Sequence, residues 1–447
     1  MPWHCFPLLC ALCVLCGLNR HQHGPTYWCC RFSTKSQLYH KKALQYYGSS
    51  VNMRIMSAVI QRLLEKPTRS FFLFGPRGTG KSTWLKQQMP AAIWFDLLDT
   101  SLQLELLETP HHLEALIGRQ PEKTWIVLDE VQKIPALLDE VHRLIEKYHW
   151  HFALCGSSAR KLKRQGANLL AGRALTLDME PFCSAELADA FDLEYALNWG
   201  LLPVLWDDQD QAADILSAYI DTYLKEEIRM EGVIRKLPPF IRFLTIAGQI
   251  NGQVINLQNI ARDAAAPRST VEGYFSVLTD TLLGHYLPAY RPGLKVREAT
   301  HPKFFWIDNG IARAAAGLLR DPIESTYKGA ALETLLFHEL RTYNTVKKKH
   351  RPISYYRTAS GLEIDFVVET QKRQMNEPAH IVCIEVKYAT KWQRKWERIL
   401  RDVQNQNDIK VERMIGVYTG TRSYHFDGLD VLPVTEFLDQ LYNGLIF

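Results

Sequence analysis

The residues Gly75-Pro76-Arg77-Gly78-Thr79-Gly80-Lys81-Ser82 satisfy G-x-x-x-x-G-K-[ST], and the apolar run Phe71-Phe72-Leu73-Phe74 precedes them. Such a loop cradles phosphate. Its glycines let the backbone turn tightly enough for N–H groups to converge on an anion. Lys81 can neutralise β- and γ-phosphate charge, and the Ser82 hydroxyl can ligate Mg²⁺. Thr83 continues into a helix whose positive dipole end faces the same anion. Further along, Trp125-Ile126-Val127-Leu128-Asp129-Glu130 is an apolar run ending in two carboxylates. Such a run predicts a strand buried on both faces. Asp129 would then hold Mg²⁺ through water, and Glu130 would orient or deprotonate the attacking water. The pair points to ATP hydrolysis rather than passive nucleotide binding.

Two polar residues are candidates for completing that site. Ser157 follows the apolar run Phe152–Cys155 and could touch the γ-phosphate, or it could cap a helix. Arg173 is a candidate arginine finger or phosphate sensor, with Arg160 as its competitor and an ordinary surface role open to both.

A second constellation lies near the C-terminus. Glu333 sits in a helix expected from Gly329. In Leu362–Val368, apolar residues alternate with Glu363 and Asp365, which predicts one buried face. In Ile381–Lys387, period two puts Glu385 and Lys387 on one face. A carboxylate followed by an E-x-K strand is the arrangement of PD-(D/E)xK nucleases. Asp365 and Glu385, with Glu333 from the helix, could bind Mg²⁺, and Lys387 could stabilise or activate the attacking water. A solvated strand face is the alternative. The basic stretch Lys347–Arg351 is a candidate phosphate contact, or simply a solvated loop.

The elements that must position these groups follow from periodicity. A helix is expected over 57–66. Strands are expected at Phe71–Phe74, Ala92–Phe95, Trp125–Leu128, Phe152–Cys155 and Ala174–Leu177. A helix runs through Ile134, Leu137, Leu138, Val141, Leu144 and Ile145, so the alternation predicts a parallel sheet covered by helices. Ligands of such sheets bind at the strands' carboxyl ends. Residues 181–239 read as a helical lid or connector. Residues 240–300 read as a winged helix whose third helix is capped by Ser269 or Thr270. That helix offers Arg268 against Glu272 and Asp280, so protein packing is favoured over DNA reading.

The chain has 447 residues, 47% of them apolar and 23% charged, with a net charge of +5. That is enough for several domains and a large core without disulfides. Six of the nine cysteines fall in the first thirty residues. Cys155, Cys183 and Cys383 stand apart among apolar neighbours, as reduced thiols do. The apolar run Phe6–Leu18 is short for a membrane span. Residues 1–52 read as an over-extended start or a disordered extension, with a tether or signal as the alternative. A cytoplasmic location is expected, because the chemistry needs ATP.

Residues 53–447 resemble the bacterial and archaeal AAA-like ATPases fused to a C-terminal domain of unknown function with a restriction-endonuclease-like core. Phe72–Thr83 and Leu128–Pro135 carry the first half of the resemblance. Phe305–Arg313, Arg357–Phe366 and Ile384–Lys387 carry the second. The resemblance implies an α/β fold in three parts: an ASCE-type P-loop sheet over 53–180, a helical and winged-helix middle, and a nuclease-like α/β domain over 301–447. It implies ATP and Mg²⁺ as cofactors. DNA or RNA is the expected partner of the last domain, and a protein partner or a second copy of the chain the expected partner of the whole. Two other readings stand beside it: a nucleotide-gated switch with a silent nuclease fold, and a winged-helix DNA-binding regulator.

Overall fold

The computed structural model describes residues 60–447 except 158–159, 161, 163–169, 171, 225–236, 292–300, 359–360, 375–376 and 405–408. The expected extension at 1–52 and the start of the helix expected at 57–66 lie outside the described residues. Within 60–66 the chain is not helical. Pro67 disfavours helix in the residue before it. The segment instead packs Leu64 against the core beneath the first sheet and spends Arg62 on distant carbonyls.

The first sheet begins with β1 (Phe71–Phe74) and continues through α1 (Lys81–Gln88), β2 (Ile93–Asp96), α2 (Thr100–Glu108), α3 (His112–Ile117), β3 (Trp125–Asp129), α4 (Leu137–Tyr148), β4 (His151–Gly156) and β5 (Leu175–Asp178). Its order is β2-β3-β4-β1-β5, with all neighbours parallel. The continuous apolar run of β1 is explained by two cores. Phe71 and Leu73 pack with Trp84 and Leu85 of α1, whereas Phe72 and Phe74 pack with Leu137, Val141 and Leu144 of α4. Because β4 lies between β1 and β3, the residue after it falls between the P-loop and the acidic pair.

The middle is built from α5 (Ser184–Leu187), α6 (Leu193–Trp199), α7 (Pro203–Asp207) and α8 (Ala212–Ala218). Three more helices follow, α9 (Leu237–Gln249), α10 (Leu257–Asp263) and α11 (Arg268–Asp280). An antiparallel pair, β6 (Gly284–Leu287) and β7 (Lys303–Trp306), completes the middle. Phe243 meets Tyr274 and Phe275 with ring centroids 5.2 and 4.8 Å apart, and Phe275 meets Phe304 at 5.0 Å, so the strands close over the helices. Neither Ser269 nor Thr270 caps α11. Pro267 holds the cap position, its fixed φ starting the helix without a side-chain bond.

The C-terminal part follows α12 (Asn309–Ala315) and the long α13 (Ser325–Val346), which starts ahead of the expected Gly329. Its strands are β8 (Ile353–Arg357), β9 (Glu363–Gln371), β10 (Ala379–Lys387), β11 (Ile409–Tyr418), β12 (Tyr424–Phe426) and β13 (Leu429–Pro433), with α14 (Arg398–Gln404) and α15 (Val434–Tyr442). The order is β12-β13-β11-β10-β9-β8. β10, β11 and β13 are mutually parallel neighbours and the other pairs antiparallel. The strand over 362–368 was expected to bury one face, and it buries both. Phe366 and Val368 pack against α13 residues, while Ile364 and Val367 pack with Ile399 and Leu400. The described residues are thus α/β, a parallel sheet joined through helices to a mixed sheet.

The seam between these parts holds a fully buried carboxyl, Glu339 on α13. It accepts hydrogen bonds from the Ser184 N–H at 2.8 Å and the Tyr442 hydroxyl at 2.6 Å. Burial pushes this carboxyl up from 4.5 to about 7. A folded pKa above the unfolded one favours folding below the unfolded value and loses that contribution as pH rises through the folded one. Glu339→Gln should therefore flatten the fall in melting temperature between about pH 4.5 and 7, measured by thermal unfolding across that range.

Candidate functional site

The P-loop turns on Gly78 and Gly80, whose φ values of +81° and +83° exclude most side chains. Thr79 is buried, and its Oγ1 donates to Pro76 O at 2.9 Å, which stiffens the turn. Lys81 folds back over the loop, its Nζ donating to Gly75 O at 2.7 Å and Pro76 O at 2.9 Å. A phosphate chain in the loop would draw the ammonium from those carbonyls. Gly75 and Pro76 are buried beneath the turn, while Arg77 and Thr83 are exposed at its mouth.

The acidic pair meets the loop. Ser82 Oγ donates to Asp129 Oδ2 at 2.8 Å, so the two residues suited to hold a cation converge from α1 and β3. Glu130 has a left-handed backbone, φ +59°, and its N–H donates to Asp129 Oδ1 at 3.1 Å. Gln132 Nε2 donates both to Glu130 Oε2 and, at 3.2 Å, to Ser157 Oγ. Ser157 is therefore joined to the acidic pair by a glutamine. Gly156 makes room for this, because a Cβ there would lie 2.3 Å from Gln132 Oε1.

Arg173 is placed elsewhere. It precedes β5, whose first residue pairs with Phe71 at the amino end of β1, so it sits at the sheet edge opposite the P-loop. Its Nε meets Glu146 Oε1 at 2.5 Å. Within one chain the structure does not bring it to the phosphate loop. Arg160 follows β4 on the loop side and reaches Asp280 and Ser276 of α11.

A residue without a motif braces the loop from behind. Arg62 donates to Thr79 O at 2.8 Å, Glu180 O at 2.6 Å and Pro181 O at 3.2 Å, and pairs with Glu186 Oε1 at 3.0 Å. Its guanidinium also lies 5.0 Å from the Phe182 ring. The carboxylate of Glu180 turns to α13, meeting Arg341 at 2.8 Å. Burial raises the Glu180 carboxyl, but the charges of Arg341, His285 and His338 outweigh it and hold it near 2.

The C-terminal constellation gathers at the other end of α13. Lys387 Nζ lies 2.5 Å from Glu385 Oε1 and 3.7 Å from Asp365 Oδ2, and Asp365 also accepts the Val386 N–H at 2.7 Å. A buried lysine on β7, Lys303, pairs with Glu363 at 2.5 Å and with Glu333 at 3.4 Å. Burial and then the Asp365 charge push the carboxyls of Glu333 and Glu385 well above their ordinary range. Burial lowers Lys387, but Asp365 and Glu385 more than reverse it and keep the ammonium charged. Among the described residues, no three His, Cys, Asp or Glu side chains form a metal-holding group. Here Lys303 and Lys387 share the neutralising role that a cation would take from Glu333, Asp365 and Glu385. The donor chemistry still suits a hard cation. Glu385 Oε2 is buried without a hydrogen-bond partner, which leaves one lone-pair site open.

Asp308, within the resemblance motif, has a structural task. It is buried, caps α12 by accepting the Ile311 N–H at 3.1 Å, and accepts the Leu201 N–H at 2.5 Å. Sequence reasoning missed Arg62, Gln132 and Lys303. Lys303 heads the apolar run Phe304-Phe305-Trp306, a position that signals a partnered charge. Arg62 carries no such signal, because its partners are backbone carbonyls far along the chain.

Comparison with known proteins divides the chain similarly. Residues 67–188 match the model of an AAA domain. This stretch, which is similar to an AAA domain, contains the first sheet and the phosphate loop. Residues 190–321 and 328–437 match two domains of unknown function, DUF8612 and DUF4143. An uncharacterised protein of Haemophilus influenzae is 24% identical over 419 residues, covering 85% of this chain and 97% of that protein. Among solved structures, the Aeropyrum pernix ORC1 protein in complex with DNA is 13% identical, covering 57% of this chain and 87% of that one, with a TM-score of 0.26. The ADP form of the Aeropyrum pernix ORC2 protein is 12% identical, covering 60% and 88%, with a TM-score of 0.27. Among the described residues, no helix is long and apolar enough to cross a membrane.

Arg62→Ala should destabilise the chain by about 3 kcal/mol, because Glu186 is left as a buried, unpaired charge. It should also weaken ATP binding by freeing the Thr79 carbonyl. Denaturant unfolding and nucleotide titration check this, and Arg62→Lys should recover part of both.

Proposed function

We propose that this chain is a Mg²⁺-dependent ATPase whose nucleotide cycle acts on a phosphodiester-cleaving C-terminal site. The observation that carries the ATPase reading is the hydrogen bond from Ser82 to Asp129 at the mouth of a complete P-loop. Ser82 and Asp129 would hold Mg²⁺, which would supply neutralisation of phosphate charge. Lys81 moves from its own loop carbonyls onto the phosphates. Glu130, held by Gln132, takes a proton from water as the new P–O bond forms and the bond to ADP breaks. Ser157, tied to the same glutamine, follows the position of Glu130. Arg173 can serve only the site of another copy, which makes a homo-oligomer the setting for any finger role.

The C-terminal reading rests on four carboxylates and two lysines gathered from β9, β10, α13 and the separate strand β7. Glu333, Asp365 and Glu385 would hold a divalent cation, which would supply polarisation of a phosphodiester oxygen. Lys387 stays charged beside that position and can stabilise the attacking hydroxide. The silent-switch reading is favoured by one observation: both lysines already pair with the carboxylates.

Lys81→Ala should abolish tight ATP binding. Glu130→Gln should retain binding and slow hydrolysis by at least about a hundredfold, as followed by phosphate release. Unchanged turnover in Glu130→Gln would move the base elsewhere.

Asp365→Asn should weaken Mg²⁺ or Mn²⁺ binding and remove cleavage of DNA or RNA while ATP hydrolysis persists. Calorimetric metal titration, with Asp129→Asn removing the P-loop contribution, reads the first effect. No C-terminal binding at millimolar metal would leave the switch.

A further inference from the structure

β10 ends at Lys387, and the chain continues past the carboxylate site as Tyr388-Ala389-Thr390-Lys391-Trp392-Gln393-Arg394-Lys395-Trp396. The ring of Trp392 turns back over β11 and covers Gly416, where a Cβ would lie 2.4 Å from it. Gly416 is the register partner of Glu385 in a parallel pair. Paired residues on parallel strands share a face, and Met414 and Tyr418 flank Gly416 in the core that also holds Ile381 and Cys383. Trp392 therefore stands on the same face of the sheet as Glu385 and Lys387, one strand away.

From Trp392 an aromatic strip leads outward. Trp396 meets Trp392 edge-on at 5.2 Å, and Tyr418 lies 6.3 Å from Trp392. Tyr424 lies 6.3 Å from Tyr418 and stacks on Phe426 at 5.5 Å. The Arg394 guanidinium lies 4.7 Å from the Phe426 ring centre. Tyr424 is 40% exposed, and Trp396 and Phe426 are half-buried, so ring surface is open to solvent. Lys391, Lys395, Arg398 and Arg422 border the strip, all exposed. None of these four has an ion pair among the described residues. The acidic groups nearby are already taken, Glu397 by Arg394 and Arg401 at 2.7 Å each, and Asp427 by Arg394 at 3.0 Å.

Open ring faces bordered by uncommitted cations suit one polymer in particular. Unpaired bases present π-faces that stack on Tyr and Trp, while the phosphates between them meet lysine and arginine. A duplex hides those faces inside its own stack. We propose that this strip binds a single-stranded nucleic acid and leads it to Glu385 and Lys387. This rests on the reading of the C-terminal cluster as a phosphodiester site and names its substrate class.

The test uses the full-length chain in EDTA, with fluorescein-labelled oligo(dU), oligo(U) and a blunt DNA duplex, read by anisotropy. Either single strand should bind at least about tenfold more tightly than the duplex, and the tighter of the two identifies the sugar. Tyr424→Ala should weaken that binding by about tenfold with an unchanged melting temperature. Lys395→Gln and Arg398→Gln should each reduce the salt dependence, by about 0.7 in the logarithmic slope. EDTA removes divalent metal, so this binding is read apart from metal binding and cleavage. Failure of the cleavage reading thus appears in the metal titration, and failure of the strip appears here. Duplex binding as tight as single-strand binding would overturn the proposal. So would no binding at low salt, or a folded Tyr424→Ala chain that binds normally.

Discussion

One buried guanidinium ties the phosphate loop to the chain that leaves the first sheet. Arg62 donates to the carbonyl of Thr79 inside the P-loop and to those of Glu180 and Pro181, where the chain leaves the first sheet. Its charge is answered by Glu186. A charge removed from water needs both an ion partner and a full set of acceptors. That requirement fixes four stretches of chain against one another. The loop cannot shift without stranding the guanidinium.

The same constraint passes to the C-terminal half. The backbone of Glu180 serves Arg62, and its carboxylate serves Arg341 on α13. α13 then runs back to Glu333, which faces Lys303 and the carboxylates of β9 and β10. A single helix thus touches the brace of the nucleotide loop at one end and the acidic cluster at the other. Arg160 gives a second link, from the strand end beside Ser157 to α11. Both links are polar and buried or half-buried, so a displacement at either end leaves a costly unpaired group.

Much of this architecture is legible in the residues. The G-x-x-x-x-G-K-[ST] run follows an apolar strand, and strand, loop and helix stand in that order in the fold. Period two along Ile381–Lys387 puts Glu385 beside Lys387, and their side chains meet. Burial was harder to read. Leu362–Val368 looks half-solvated from its alternation, but helices cover both faces of the sheet and even Asp365 is only 6% exposed. The segment over 60–66 has helical spacing yet is not helical, because Pro67 and the partners of Arg62 outweigh local preference.

The sequence alone determined the phosphate loop, the acidic strand end, the alternation that builds a parallel sheet, and the E-x-K strand. Each depends on neighbours within a few residues, where backbone geometry fixes which side chains share a face. Only the tertiary structure decided that Arg173 lies at the wrong edge of the sheet for its own P-loop. It also decided that Gln132 bridges Glu130 and Ser157, that Lys303 enters the acidic cluster from β7, and that Trp392 stands beside Glu385. Those placements depend on strand order and on the cost of burying charge, and both are set by contacts between residues far apart in the chain.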